Sequence, residues 1–335
     1  MPTLHILANF SVPTSLSSRV DPFAVIAYRY IEHMAPKGYN IIHYGTTGSD
    51  PPCHNVIITF ENWAQMNNDV GLAIRDRKKP GDIICSFYGT GNQPACTMNT
   101  DLKVIEPAIG YAVDTVFAPY RVFTSIAHEH MFYGHHKMLM TPSWFDAVIP
   151  NGFNLNEFPV ETKKDNYLLY FGRVIASKGV EACIQLAERT GHKLVVAGPG
   201  TLREMGFASI PSCVEEVGVC GPEKRAALMG KAKALLAPTY YIEPFGNMVV
   251  EAHLCGTPTI TSDWGGFTDT NIEGVTGFRC RSWKDFVRAI DNIKHINPED
   301  CRKYAEARYS NVVVHNQHDQ YLKKIISGNF YDETL

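Results

Sequence analysis

The sequence predicts an α/β protein made of two Rossmann-like α/β/α domains that face a cleft, and three observations support this prediction. The 335 residues are about twice the length of a typical domain. Short apolar segments alternate with helical stretches along both halves of the chain, which is typical of βαβ units and a parallel sheet. Hydrophobic residues make up 45% of the chain and charged residues 19%, the composition of an ordinary globular protein.

Residues 1–145 are predicted to form the first domain. Segments with the short apolar pattern of buried strands lie at residues 4–10, 39–44, 56–60, 82–87, 103–105 and 121–124. A helix is expected to begin at Asp21-Pro22, because proline fits just inside the start of a helix.

Turn-forming residues accumulate between Tyr133 and Tyr167, and they place the domain boundary. The second domain is predicted over residues 146–310, with strands at 167–171, 193–197, 234–237 and 257–261. Helical stretches are expected at 179–190, 222–233, 248–255, 283–293 and from 298 towards 326. Residues 311–335 are predicted to form a C-terminal helix that packs back on the first domain.

Charge and cysteine content exclude several classes of function. The formal net charge of −3 provides no global basic surface for nucleic acid. The nine cysteines include no C-x-x-C pair, which disfavours a zinc ribbon and is typical of reduced thiols in the cytoplasm. No apolar stretch approaches the roughly 20 residues of a membrane-spanning helix, and the first residues lack the pattern of a signal peptide. We therefore expect a cytoplasmic protein without a stable membrane span.

The loops that follow strands are the places to search for a site, because open α/β sheets bind ligands beyond the carboxyl ends of their strands. Gly172-Arg173 ends one strand, and Lys178-Gly179 lies at the start of the next helix. Two cations beside a helix N-terminus suit a phosphate or diphosphate, although two solvated surface cations are an equally good interpretation. The Gly198-Pro199-Gly200 turn is commonplace and carries little weight alone.

A second candidate site lies in residues 243–251, where two glutamates are eight positions apart. Glu243 precedes proline and cannot lie within a helix, so the helix is expected to start near Gly246-Asn247. Glu243 would then lie just before the helix and Glu251 within it. The backbone N–H groups of Phe245 to Met248 would be free to bind a sugar or phosphate. Two surface glutamates are the alternative, disfavoured because the surrounding residues are apolar.

No metal and no cofactor are expected. The histidines near His128 lack the spacing of a metal-binding motif, and the chain contains no Asp-x-Asp that could hold a metal and diphosphate. The absence of Gly-x-Gly-x-x-Gly after the first strand disfavours a dinucleotide-binding domain, and no P-loop motif occurs.

Taken together and in order, these segments resemble the C-terminal domain of the retaining GT-B glycosyltransferases of family 4, the glycosyl transferases group 1. Residues 148–152 resemble the "IPNG" segment, Gly172-Arg173 with Lys178-Gly179 the "GR…KG" diphosphate site, and Gly198-Pro199-Gly200 the "GxG" turn. Residues 243–251 form an E-x7-E motif, and Gly265-Gly266 and residues 273–278 resemble the final donor-loop segments. The likeness covers roughly residues 145–280.

The resemblance implies a retaining transfer of a sugar from a UDP- or GDP-sugar to a hydroxyl acceptor, without a metal. Arg173, Lys178 and Glu243 would be the catalytic residues: the two cations bind the diphosphate, and Glu243 holds the donor sugar. Glu251 would bind the ribose. The remaining donor-binding residues would be Gly172, Gly198, Gly200, Phe245, Gly246, Asn247 and Met248.

The first domain departs from the family pattern, so the sequence does not identify the acceptor. It could be a glycan, a lipid, a protein or a modified nucleobase. Ser11-Val12-Pro13 stands where the family often has a glycine-rich loop, and Ile109-Gly110-Tyr111 where it often has a histidine. Ser11, Tyr111 and His128 are the candidates for the acceptor side. A nucleotide-sugar epimerase, a phosphorylase and a non-catalytic sugar-nucleotide-binding protein are the alternative functions.

Overall fold

The computed structural model describes residues 1–17, 21–110, 112–138, 140 and 143–328. The chain divides into two compact units. Unit 1 consists of Met1–Thr124, Glu129–Ile149 and Val314–Leu335, and unit 2 consists of Ser125–His128 and Pro150–Val313. Two α/β domains, as the sequence predicts, are therefore confirmed.

Unit 1 is built on a parallel sheet of seven strands among its described residues, in the order β3-β2-β1-β4-β5-β6-β7. The strands are β1 Thr3–Leu7, β2 Asn40–Gly45, β3 His54–Ile57, β4 Ile83–Ser86, β5 Lys103–Glu106, β6 Tyr120–Phe123 and β7 Ala147–Val148. Along β1, Leu4 and Ile6 pack into one core and Leu7 into another. Both faces of the sheet are buried, which explains why its strands read as continuous apolar runs.

The helices along residues 1–149 are α1 Pro22–Met34, α2 Trp63–Arg75, α3 Gln93–Thr97 and α4 Ile126–His135, the last beginning in unit 2. Helix α1 starts where the sequence predicts, and the Asp21 carboxylate accepts the backbone N–H of Phe23 at 3.0 Å. Its apolar face, including Ala27 and Ile31, packs on the core beside β1.

Unit 2 is built on a parallel sheet of six strands among its described residues, in the order β10-β9-β8-β11-β12-β13. The strands are β8 Tyr167–Phe171, β9 Lys193–Ala197, β10 Val214–Gly218, β11 Ala234–Ala237, β12 Thr259–Ser262 and β13 Gly277–Cys280. The helices are α5 Val180–Thr190, α6 Pro222–Lys231, α7 Asn247–Leu254, α8 Phe267–Thr270, α9 Trp283–Asn292 and α10 Pro298–Tyr309. The strand order reverses direction between β8 and β11, which is where open sheets of this kind bind ligands.

Strands β7, β10 and β13 were not predicted, and the bounds of most predicted elements shift by one residue or more. Strand β3 covers His54–Ile57 rather than 56–60, and β12 covers Thr259–Ser262 rather than 257–261. The helical stretch expected from 298 towards 326 is two helices, α10 and α11, the latter Asn311–Ser327. The chain is extended at Ser310, because Phe153 takes over the backbone bonds there: its N–H donates to Tyr309 at 2.8 Å and its carbonyl accepts from Asn311 at 2.9 Å.

Helix α11 completes the core of unit 1. Four of its apolar side chains lie in the same cluster as Leu4 and Ile6: Val314, Tyr321, Leu322 and Ile325. The Tyr321 hydroxyl also donates to the carbonyl of Phe145 at 2.7 Å. The C-terminal part of the chain is therefore an integral element of the N-terminal unit.

Candidate functional site

Two glycines join the loops that follow β8 and β9. The N–H of Gly172 donates to the carbonyl of Ala197 at 2.9 Å. Gly198 has φ +136, and a Cβ placed there would lie 2.0 Å from the carbonyl oxygen of Gly172. Only glycine allows this approach of the two backbones. The predicted glycine turns therefore bring two loops together at the carboxyl end of the sheet.

A third glycine joins the loop after β8 to the loop after β11, across the point where the strand order reverses. Gly179 has φ +75, and a Cβ there would lie 2.0 Å from the carbonyl oxygen of Pro238. The N–H of Tyr240 donates to the carbonyl of Ser177 at 2.9 Å. Lys178 lies between these contacts and is only 8% exposed.

Lys178 and Glu243, which the family resemblance assigns to the diphosphate and the sugar, form a buried ion pair. Lys178 Nζ lies 2.8 Å from Glu243 Oε2, and the glutamate is 2% exposed. The Tyr241 hydroxyl donates to the same oxygen at 2.5 Å, and Lys178 Nζ lies 5.1 Å from the centre of the Tyr241 ring. Buried charges require such partners, so the pair holds both side chains at the switch point of the sheet.

The N-terminus of α7 lies three residues beyond Glu243-Pro244. The helix begins at Asn247, in agreement with the restriction that proline places on the residue before it. Gly246 caps it at φ +90 and supplies no side-chain acceptor. The first N–H groups of α7 and the positive end of its dipole therefore remain available to an anion.

The other predicted residues of this segment lie in different environments. The Phe245 ring is 4% exposed and stacks in the core on Phe153, with ring centres 6.5 Å apart, so only its backbone could reach a ligand. Asn247 is exposed, and its side-chain oxygen accepts from the Asn151 amide at 2.8 Å. Met248 is half-buried.

Glu251 lies on the buried side of α7 and faces Arg225 from α6. Arg225 Nη1 lies 3.3 Å from Glu251 Oε1. Burial raises the pKa of Glu251 to about 7, and it outweighs the opposing effect of Arg225. No sequence pattern marked Arg225, because the contact joins two helices that are distant along the chain.

Arg173 borders an open cavity of about 500 Å³ between the loops after β8 and β9, which Gly200 and Glu204 also line. Its side chain is exposed, and its backbone carbonyl accepts the Tyr170 hydroxyl. The cavity has room for a nucleoside, and the guanidinium is available to an anion at its edge.

The acceptor-side candidates are placed as follows. Ser11 is exposed, and its hydroxyl donates to the side-chain oxygen of Asn9 at 2.8 Å. Tyr111 lies outside the described residues. His128 is fully buried near the start of α4, and its backbone N–H donates to Ser125 Oγ at 3.0 Å. The Ser125 hydroxyl donates in turn to the carbonyl of Pro244 at 2.5 Å, a contact the sequence did not reveal.

In the described part of the chain, no group of three histidine, cysteine, aspartate or glutamate side chains is placed to hold a metal ion. Nor does any helix in these residues have the length and apolar character that crossing a bilayer requires.

Comparison with known proteins identifies the family of the second half. Residues 154–310 match the sequence model of the family Glycosyl transferases group 1. Glycogen synthase of Mycobacterium tuberculosis is 32% identical over 148 residues, 40% of this chain and 36% of that protein. Phosphatidyl-myo-inositol mannosyltransferase of Propionibacterium freudenreichii is 28% identical over 248 residues, 67% of this chain and 61% of that protein. The matches thus span less than two thirds of either relative.

The fold of the whole chain is also that of known structures. The Anabaena protein Alr3699/HepE, solved in complex with UDP and glucose, superposes with a TM-score of 0.73 at 14% identity, covering 97% of this chain and 100% of that one. The predicted GT-B architecture is confirmed, and the resemblance of the second half to the glycosyl transferases group 1 is confirmed by the family match of residues 154–310.

Proposed function

We propose that this chain is a retaining glycosyltransferase that moves a sugar from a UDP- or GDP-sugar to a hydroxyl acceptor without a metal ion. The observation that carries the proposal is the buried pair of Lys178 and Glu243, held at the switch point of the sheet beside the N-terminus of α7. The Anabaena protein of the same fold was solved with UDP and glucose, which supports a nucleotide-sugar donor.

The diphosphate needs positive charge, and unit 2 offers three sources of it. Lys178 and Arg173 both follow β8, and the N–H groups at the start of α7 lie close along the chain to Glu243. Cations and oriented N–H groups together stabilise an anion without a metal. In this proposal Lys178 contacts the diphosphate while it remains close to Glu243.

The two glutamates bind different parts of the donor. Glu243 accepts hydrogen bonds from the hydroxyls of the sugar, and Tyr241 and Lys178 fix the position of its carboxylate. Glu251 accepts from the ribose hydroxyls, while Arg225 balances its charge. The sugar and the ribose are thus bound by different glutamates.

The reaction breaks the bond between the anomeric carbon and the diphosphate oxygen, and the electron pair stays on the leaving diphosphate. The acceptor oxygen forms the new bond from the same face of the sugar, which retains the configuration. The acceptor proton passes to the leaving phosphate oxygen. Arg173 and Lys178 stabilise the negative charge that develops there, and their interaction is strongest in the transition state.

The acceptor and the location in the cell belong to the proposal as well. We propose a cytoplasmic enzyme whose acceptor is a glycan, a lipid, a protein or a modified nucleobase. Fractionation of cells that express the chain tests the location.

Calorimetry with two ligands and two variants tests the function. Glu251→Ala is expected to weaken the bare nucleoside diphosphate and the full sugar donor alike, by about 10- to 100-fold, because both ligands contain the ribose. Glu243→Gln, which keeps an amide oxygen as a partner for Lys178, is expected to leave binding of the bare nucleoside diphosphate nearly intact and to lower the transfer rate, because its contact is made to the transferred sugar.

Glu188→Ala, at an exposed glutamate of α5, is the matched control and should change neither ligand. If neither UDP nor GDP binds the unmodified chain, the proposed function is wrong. If Glu243→Gln weakens the bare nucleotide as much as Glu251→Ala does, the assignment of the two glutamates is wrong.

A further inference from the structure

Unit 1 contains a cavity of about 480 Å³ beyond the carboxyl ends of β4 and β5. Its size falls within the range of small-molecule sites. Aromatic side chains form much of its wall: Phe23, Phe87 and Tyr88. The Phe23 and Tyr88 rings meet edge to face with centres 6.1 Å apart, and Tyr88 stacks on Trp63 at 5.3 Å. The wall is therefore made of aromatic rings that are themselves held in place by packing.

Glycines keep the cavity open at two points. A Cβ at Gly110 would lie 2.4 Å from the Phe23 ring, and a Cβ at Gly89 would lie 2.6 Å from the carbonyl oxygen of Thr115. Both glycines line the cavity. Larger residues at these positions would push the wall out of place.

Glu106 supplies a carboxyl group at the end of β5, where it lines the cavity while being only 2% exposed. Its Oε2 accepts the N–H groups of Phe117 and Ala118, at 3.1 and 3.0 Å. Its Oε1 has no hydrogen-bond partner among the described residues. A carboxyl oxygen of a residue that lines the cavity can accept a hydrogen bond from a ligand there.

The described residues that line the cavity carry no positive charge. No lysine, arginine or histidine is among its described lining residues, and Glu106 is the one acidic residue among them. Arg121, whose charge acts on Glu106, is engaged with Asp146 through two contacts of 2.8 Å. A phosphate group would meet a carboxyl group and no cation, in contrast to the site of unit 2.

We infer that this cavity binds an uncharged ring that carries hydroxyl groups, a sugar or a cyclic polyol. The apolar face of such a ring packs on Phe23 and Tyr88, and one hydroxyl donates to Glu106 Oε1. Burial raises the pKa of Glu106 to about 7, so near neutral pH its carboxyl group can also donate a hydrogen bond. The role of this ligand as the acceptor rests on the proposed function, whereas its binding does not.

Ligand-observed NMR on the intact chain without donor tests the inference. The probes are myo-inositol and methyl glucoside, each compared with a phosphorylated counterpart, inositol 1-phosphate and glucose 6-phosphate. At least one neutral probe is expected to bind about tenfold more tightly than its phosphate. Glu106→Gln is expected to weaken the bound probe severalfold, because the amide no longer offers a carboxylate oxygen.

Thr90→Trp is a second variant that leaves the buried Glu106 unchanged, so it tests the cavity even if Glu106→Gln fails to fold. Thr90 lies on the exposed rim, and a tryptophan there blocks the cavity. This variant should abolish binding, and Glu61→Gln, at an exposed glutamate of unit 1, should leave it unchanged. Absence of binding by both neutral probes overturns the inference, as do tighter binding of the phosphates and unaltered binding to Thr90→Trp. A chain that binds the neutral probes but neither UDP nor GDP overturns the proposed function alone.

Discussion

Replacing Gly179 by alanine is predicted to destabilise the protein more than the same change at Gly191. The two glycines lie at opposite ends of α5 and have nearly the same backbone conformation, φ +75 and φ +67. At either position, placing alanine in the left-handed conformation costs about 1–2 kcal/mol of stability. The comparison therefore isolates what lies around each glycine.

The surroundings differ sharply. A Cβ at Gly179 would lie 2.0 Å from the carbonyl oxygen of Pro238, whereas one at Gly191 meets nothing within 4 Å. The carbonyl oxygen of Pro238 would have to move away by about 1 Å, and overpacking of this kind costs about 1–3 kcal/mol of stability. We expect a total loss of about 2–5 kcal/mol for Gly179→Ala and about 1–2 kcal/mol for Gly191→Ala.

The strain at Gly179 falls on the loops that hold Lys178 and Glu243. Urea unfolding of both variants, followed in parallel with the unmodified chain, measures the difference in stability. Calorimetry with the nucleoside diphosphate that binds the unmodified chain should show weaker binding to Gly179→Ala and unchanged binding to Gly191→Ala. Equal losses of stability in the two variants would refute the reasoning.

Two further predictions concern metal ions and pH. A chelator should leave the transfer rate unchanged, because cations of the chain serve the diphosphate; a strict requirement for manganese or magnesium would contradict this. The folded-state pKa of Glu251 is about 7, above the ordinary value of 4.5, so the folded state keeps a proton that the unfolded state releases. The contribution of Glu251 to the free energy of unfolding, up to about 3 kcal/mol, is fully present below pH 4.5 and is lost as the pH rises through about 7. Glu251→Gln should remove the fall of about 2 kcal/mol that this causes in the free energy of unfolding between pH 5 and 7. An unchanged pH dependence in urea unfolding would contradict the assignment.

The sequence alone predicted those features that depend on residues close together along the chain. The apolar runs of β1 and β8 mark buried strands because both faces of a parallel sheet are covered. The start of α7 followed from Pro244, which excludes Glu243 from a helix. The order of the loop motifs was specific enough to indicate the family whose sequence model matches residues 154–310.

Contacts between distant segments could not be predicted. Lys178 and Glu243 are 65 positions apart, and they meet because β8 and β11 are neighbours in the sheet. The sequence assigned them to different parts of the donor without revealing that they pair. The position of Glu106 in a cavity was equally hidden, because the wall combines side chains from α1, β4 and the loop after β5.

The position of α11 in the core of unit 1 determines the order in which the two units can be completed during synthesis. Residues 150–313 form a continuous stretch of unit 2, and they leave the ribosome before Val314. At about 5–20 residues per second, the sheet of unit 1 waits on the order of ten to thirty seconds for α11. During this interval the surface that Tyr321 and Ile325 later cover is open to solvent. The first half of the chain is therefore the last to reach its native core.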